Sequence, residues 1–245
     1  MALAPHNIPS ERCPPNRLHR RRPRHGLRRR PPGVGRGVVT PRPPFPFRAH
    51  DEPLPLGSDL YRVHSGGRPP ASFNPGFGAA TRFAFFGSPH VPILYAAASE
   101  QAAVAETLLH DAPLTGGQLL PREYEGRITS RLRTTGDLRL AAFLGLGLRA
   151  LGVRAEQVTA TPASSYGETV KWAEAAHAAG FDGVVYMSRQ CNSDRAYAFF
   201  GDRCDGAFEV DSSYSWRFDD VSGGREKLIT LCGPLGVEVL VPPAG

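Results

Sequence analysis

Five residues of this 245-residue chain have side chains whose chemistry fits together: Arg62, Arg82, Tyr95, Glu106 and Ser188. Two arginines can grip a diphosphate through charge-assisted, often bidentate hydrogen bonds. A tyrosine can stack on a flat heteroaromatic ring. A carboxylate can stabilise an oxocarbenium-like centre as a glycosidic bond breaks. The set suits a nucleotide whose labile bond joins a sugar to a cationic ring, as in NAD+. Taken singly, most of these residues have plainer readings: Arg62 or Arg82 in a surface ion pair, Tyr95 in the core, Ser188 as a hydroxyl at a strand end. Glu106 fits a plain reading least well. At helical spacing it shares a face with Ala102, Ala103, Leu109 and His110, while Val104 and Leu108 point the other way. A carboxylate among small apolar neighbours is costly to bury, so it needs a partner or a purpose.

The elements that must carry these residues follow from the local pattern. Ile93-Leu94-Tyr95-Ala96-Ala97 is a short apolar run bounded by turn residues, which predicts a buried strand ending just past Tyr95. Ser99 is a good N-cap, and Glu100 and Gln101 suit the first turn of a helix running to His110. Leu60 to His64 reads as a strand, with Tyr61 and Val63 on one face and Arg62 on the other. A turn-rich loop, Gly66 to Gly76, then leads towards Arg82. Tyr124 to Arg133 is expected to be a strand. Leu138 to Leu151 is expected to be a helix ending at Gly152, with Gly145 and Gly147 explained by close packing. Ser165-Tyr166-Gly167-Glu168 fits a capping box opening a helix that runs to His177. Phe181 to Ser188 and Ala196 to Phe200 are expected to be strands, as are Glu226 to Leu231 and Val237 to Val241. Strands and helices alternate irregularly. That argues for an α+β fold, with mixed or antiparallel sheets flanked by helices, rather than a doubly wound sheet.

Composition narrows the function classes. Residues 1–50 hold 12 arginines and one acid, which leaves residues 51–245 with 17 basic and 22 acidic residues. The basic isoelectric point is therefore a property of the leader, and the remainder is mildly acidic. This argues against nucleic-acid binding by the main domain and restricts that reading to the leader. With its arginine runs, proline pairs and little apolar periodicity, residues 1–50 are expected to be a disordered leader, and residues 51–245 the folded domain. The four cysteines form no CxxC pair, and no histidines stand at zinc-ligand spacing, so no metal site is expected. His64, His90, His110 and His177 are each expected to be structural or exposed. No apolar run reaches membrane-spanning length, and the N-terminus lacks a secretory core, so a cytoplasmic protein is expected. The glycine signatures of dinucleotide-binding, P-loop and hydrolase-elbow sites are absent.

The order of the motifs is more specific than any one of them. The chain resembles the RES-domain family of bacterial toxin–antitoxin toxins over roughly residues 58–232. The resemblance is carried by Leu60-Tyr61-Arg62-Val63-His64, Arg82-Phe83, Ile93 to Ala97 and Ala103-Val104-Ala105-Glu106-Thr107. It continues through Tyr166 to Ala173, Asp182 to Arg189 and Phe199 to Arg203. Where many members carry Gly-Arg-Trp-Asn, this chain has Thr81-Arg82-Phe83-Ala84, keeping the arginine and losing the asparagine. The resemblance implies a fold like that of ADP-ribosyltransferases and cleavage of NAD+ at the nicotinamide–ribose bond. NAD+ would be a substrate rather than a resident cofactor, with water or inorganic phosphate as acceptor. Arg62 and Arg82 would then hold the phosphates, Tyr95 would line the nicotinamide pocket, Glu106 would face the ribose, and Ser188 would close the site from the far strand. It also implies an antitoxin partner with a helix-turn-helix domain. The competing functions are transfer of ADP-ribose onto a protein and a non-enzymatic module that holds a nucleotide.

Overall fold

The computed structural model describes residues 38–113 and 115–242. Its first strands are β1 (Asp51–Leu54), β2 (Asp59–Ser65) and β3 (Ile93–Ala97), the last two where the apolar pattern places them. Helix α1 (Glu100–Leu108) follows, and the Ser99 side chain accepts from the Ala102 amide at 3.2 Å as its N-cap. Next come β4 (Gly117–Leu119), the single turn α2 (Pro121–Tyr124), β5 (Arg127–Thr134) and β6 (Leu138–Phe143). Two short helices, α3 (Gly145–Ala150) and α4 (Ala155–Val158), lead to the longer α5 (Tyr166–Ala178). The chain closes with β7 (Gly183–Met187), β8 (Arg195–Phe200), α6 (Gly201–Cys204), β9 (Phe208–Arg217), α7 (Gly224–Cys232) and β10 (Val237–Val239).

Eight strands form one mixed sheet in the order β1-β6-β7-β8-β3-β2-β5-β9, and β10 pairs with β4 in a small parallel ribbon. Only β6 and β7 run parallel in the large sheet. Helices cover the sheet, so the fold is α+β. No helix among the described residues is long and apolar enough to cross a membrane.

One join in the sheet differs from the rest. β2 pairs with β5 over seven residues and β3 with β8 over five, yet β2 and β3 share a single registered pair, Tyr61 opposite Ala97. Towards its start β3 turns instead to the returning loop, where Ile93 and Asn74 exchange backbone hydrogen bonds at 2.8 and 3.0 Å. The sheet is thus two panels that separate beyond Tyr61. Ile93, Tyr95 and Ala97 project from one face of β3. Ile93 joins the apolar cluster beneath α5, Ala97 joins the cluster around α1, and Tyr95 lies between them along the strand.

Several sequence expectations are corrected. Leu138 to Phe143 is a strand, because β6 lies between β1 and β7 with most of its residues buried on both faces. A doubly covered strand reads as the same continuous apolar run as a buried helix. Only Gly145 to Ala150 is helical there, and Gly147 is required because a Cβ would meet the Ala142 carbonyl. Glu226 to Leu231 lies within helix α7: Leu228 and Cys232, four apart, enter the core together, and this burial outweighs the strand preference of Ile229 and Thr230. Tyr124 belongs to α2, fully buried, with its hydroxyl donating to the Leu240 carbonyl. Helix α5 forms as expected, but the Ser165 side chain makes no capping bond, since a 3-10 turn over Ala163–Ser165 runs straight into it.

The leader boundary also moves. Residues 1–37 of the expected leader lie outside the described residues. The rest packs on the domain as an extended strap: Trp172 Nε1 donates to Pro41 O at 2.9 Å, and Ala142 N donates to His50 O. The Phe47 ring lies edge-on to Phe143 and Trp172, 6.3 Å from each. Phe47 and Ala49 are part-buried while their neighbours are exposed, an alternation too short to stand out among arginines and prolines.

Candidate active site

The panel separation opens a cleft of about 680 Å³, bounded by β2, β3, the end of α1, the start of α5 and the turn after β7. Glu106 projects into it from the last turn of α1, its side chain 16% exposed. Four donors meet its two oxygens. Ser188 Oγ and the Arg189 amide donate to Oε1 at 2.8 and 2.9 Å. Tyr186 OH and Arg82 Nη1 donate to Oε2 at 3.1 and 3.4 Å. A carboxylate is the form of this side chain that can accept all four. Of the helix face on which Glu106 looked misplaced, only the C-terminal end, Glu106 and His110, borders the cleft, while Ala102, Ala103 and Leu109 stay in the core. The energetic cost of the partial burial of Glu106 is offset by charge-assisted bonds.

Helix α1 is itself held from several sides. Ser99 Oγ donates to Asp194 Oδ2 at 2.6 Å, and Gln101 Nε2 donates to the Leu231 carbonyl at 3.0 Å. Buried Glu100 pairs with Lys227 at 2.8 Å and accepts from the Tyr214 hydroxyl. These contacts fix the register of the helix that carries Glu106.

Arg82 has a side chain only 8% exposed. Its guanidinium carbon lies 5.7 Å from the ring centres of both Tyr166 and Tyr186, within cation–π range. Burial works against the charged form, but Tyr186 and Glu106 outweigh it and raise its pKa above the ordinary arginine value. Its backbone carbonyl accepts from Thr169 Oγ1 at 2.5 Å, so α5 anchors the main chain beneath the guanidinium. Phe83 packs edge-on to Tyr186 and Ala84 lies in the core, so the two residues after Arg82 bring no polar side chain to the cleft.

Tyr95 lines the cleft, with its hydroxyl bound to Thr81 Oγ1 at 2.9 Å and accepting from the Phe83 amide at 3.1 Å. Burial pushes its pKa up to about 12, so it is a neutral wall of the cleft. Tyr186 is likewise raised, first by burial and then by Glu106.

The structure brings Arg62, Arg82, Tyr95 and Glu106 to one cleft, and places Ser188 directly behind Glu106. Two of the five sit differently from expectation. Ser188 is fully buried and acts on Glu106 rather than closing the cleft. Arg62 commits Nη1 to the carbonyls of Pro70 and Ser72 at 2.6 and 2.7 Å, holding the loop that returns to β3. Burial, reinforced by Arg68, lowers its pKa to about 10. Sequence reasoning missed Tyr166, Tyr186, Arg68, Arg127 and the side chain of Arg189, all of which line the cleft. Tyr166 and Tyr186 fall within quoted motifs, so their signal was present. His64, expected to be structural or exposed, is buried and borders the cleft.

A family model described as "RES domain" matches residues 59–220, which include all five residues and every element bounding the cleft. No curated protein matches the chain. Among solved structures, one similar chain comes from the crystal structure of the M.tuberculosis MbcT-MbcA toxin-antitoxin complex. It is 16% identical, with a TM-score of 0.44, over 66% of this chain and 85% of that one.

Proposed function

The chain belongs to the RES domain family, and from that premise we propose that it cleaves NAD+ at the nicotinamide–ribose bond, as the toxin of a toxin–antitoxin pair. The observation that carries the reading is Glu106: a carboxylate fixed by four donors, beside a buried arginine, at the wall of a cleft of about 680 Å³. A cleft of this size suits a dinucleotide lying partly open to solvent.

In the proposed reaction, the bond between the ribose anomeric carbon and the nicotinamide nitrogen breaks. Its electron pair goes to the ring nitrogen and neutralises the pyridinium, so nicotinamide leaves uncharged. Positive charge develops on the ribose, and Glu106 stabilises it by proximity. Water then bonds to the anomeric carbon and releases a proton to solvent, or a negatively charged oxygen of inorganic phosphate bonds there directly. Tyr95 forms a wall for the nicotinamide, and Arg82 and Arg62 orient the diphosphate. Holding one reactive conformer of a flexible dinucleotide removes several kcal/mol, roughly, from the barrier. The four donors on Glu106 leave it little freedom to turn away. An antitoxin carrying a helix-turn-helix domain would neutralise the protein by covering the cleft.

The test is nicotinamide release from NAD+ by the purified protein and by Glu106→Gln. Turnover should fall by at least about a hundredfold, the range found when a group that stabilises transition-state charge is removed. Equal turnover in the two proteins would remove Glu106 from the mechanism. Assays with and without phosphate, with the ribose product identified, separate phosphorolysis from hydrolysis.

A further inference from the structure

The cleft holds more positive charge than a dinucleotide diphosphate needs. Arg62, Arg68, Arg127 and Arg189 line it together with Arg82, and of these five Arg82 alone has a carboxylate among the described residues within ion-pair distance. A diphosphate carries two negative charges and would offset two of the four remaining cations. Arg68 and Arg127 stand at the end of the cleft formed by β2 and the start of β5, near a second cavity of about 450 Å³ that shares His64 and Arg68 with it. The floor of that cavity is built from the sheet. Arg62, Ser130 and Ser215 are aligned across β2, β5 and β9, as are His64, Ile128 and Arg217. Ser130 and Ser215 belong to the lining, the Ser130 hydroxyl giving its hydrogen to His64. His64 Nδ1 lies 2.9 Å from the Ser65 carbonyl, which can only accept, so the hydrogen is on Nδ1 and Nε2 accepts from Ser130 Oγ at 3.0 Å.

Burial disfavours the charged forms here, and the neighbouring positive charge adds to it. Burial lowers the His64 pKa, and Arg62 and Arg127 lower it further; burial lowers the Arg62 pKa, and Arg68 adds to it. Cations crowded in this way raise one another's free energy unless an anion joins them.

We propose that the Arg68–Arg127 end of the cleft, with the adjoining cavity over Ser130, is a phosphomonoester subsite, so that the preferred substrate is a pyridine dinucleotide bearing a further phosphate on its adenosine ribose, as in NADP+. The proposal rests on the cleavage reaction above and deepens it by naming the substrate class. A phosphomonoester brings a charge of about −1.5 to −2 near neutral pH, the amount left uncompensated by a diphosphate alone.

The experiment compares nicotinamide release from NAD+ and from NADP+ by the full chain, by Arg68→Ala, Arg127→Ala and Arg68→Lys. It also measures binding of adenosine 2′,5′-bisphosphate against AMP by calorimetry, which needs no turnover. The full chain should cleave NADP+ with kcat/KM at least equal to that for NAD+, and should bind the bisphosphate more tightly than AMP. Each alanine variant should lower the NADP+/NAD+ ratio by about tenfold or more, the effect of losing one hydrogen bond to a charged group. Arg68→Lys should lose less, since the charge remains. A strong preference for NAD+, or a ratio unmoved in both alanine variants, would overturn the subsite. Tight bisphosphate binding without nicotinamide release from either dinucleotide would instead overturn the cleavage reading while leaving the subsite supported.

Discussion

The fit of Glu106 to its surroundings comes from four neighbours rather than from its own helix, Arg82 Nη1 sharing one oxygen with Tyr186 OH. Ser188 Oγ and the Arg189 amide hold one oxygen, and Tyr186 OH meets the other. Removing one donor leaves the carboxylate in place but less constrained, so Ser188→Ala and Tyr186→Phe should each lower kcat for nicotinamide release about tenfold, given the usual value of a hydrogen bond to a charged group. The folded state, read by near-ultraviolet circular dichroism, should persist. Unchanged kcat in both variants would mean that the Arg189 amide, Arg82 and α1 align Glu106 without them. At this scale much of the site could be read from the sequence. Glu106 was conspicuous because charge rarely sits among alanines, and Arg82 and Tyr95 preceded it in chain order. Tyr186 was not recognised because an aromatic residue in an apolar strand looks like core, and its ring does pack there against Phe83. Its hydroxyl reaches Glu106, and its ring also faces the Arg82 guanidinium. The commitment of Arg62 Nη1 to two loop carbonyls was equally hidden, since nothing in a sequence shows where a carbonyl will point.

At the scale of elements, α5 contributes more than a cover for the sheet. Thr169 Oγ1 holds the Arg82 carbonyl in a buried contact, and the Tyr166 ring faces the guanidinium. Thr169→Val preserves shape but leaves that carbonyl without its donor, at a cost of about 1–3 kcal/mol. We expect a raised KM for NAD+ that exceeds any fall in kcat, with Thr169→Ser restoring both. Loss of stability without a change in KM would make Thr169 a packing residue only. The sequence revealed α5, β2, β3 and α1 because each has a clear period or cap. It misled at β6 and α7 for opposite reasons. β6 is covered on both faces, so its alternation disappears, while α7 contains strand-forming residues that tertiary burial overrides. Strand β9 went unseen because Ser212 breaks the alternation of Phe208, Val210, Tyr214 and Trp216 along an exposed edge otherwise rich in serine and charge.

At the scale of the molecule, buried His64 makes stability depend on pH. His64 is held neutral, with its folded pKa below the ordinary value of 6.5. The unfolded chain therefore binds a proton first as pH falls, so stability present above about pH 6.5 is lost below it. The urea midpoint should drop between about pH 7 and about pH 5, and by less in His64→Gln; parallel profiles would exclude His64 as the source. The strap was legible only in part, since its arginines dominate the composition while Phe47 alone signals contact with the core. The single rung between Tyr61 and Ala97 has one more consequence. Two sheet panels joined so sparingly at that seam are most compliant where the cleft opens, and a ligand reaching from Arg62 on one panel to Tyr95 on the other would act as a cross-brace. Occupancy would then stiffen the framework as well as fill it, so that loading the site and tightening the geometry around Glu106 are the same mechanical event.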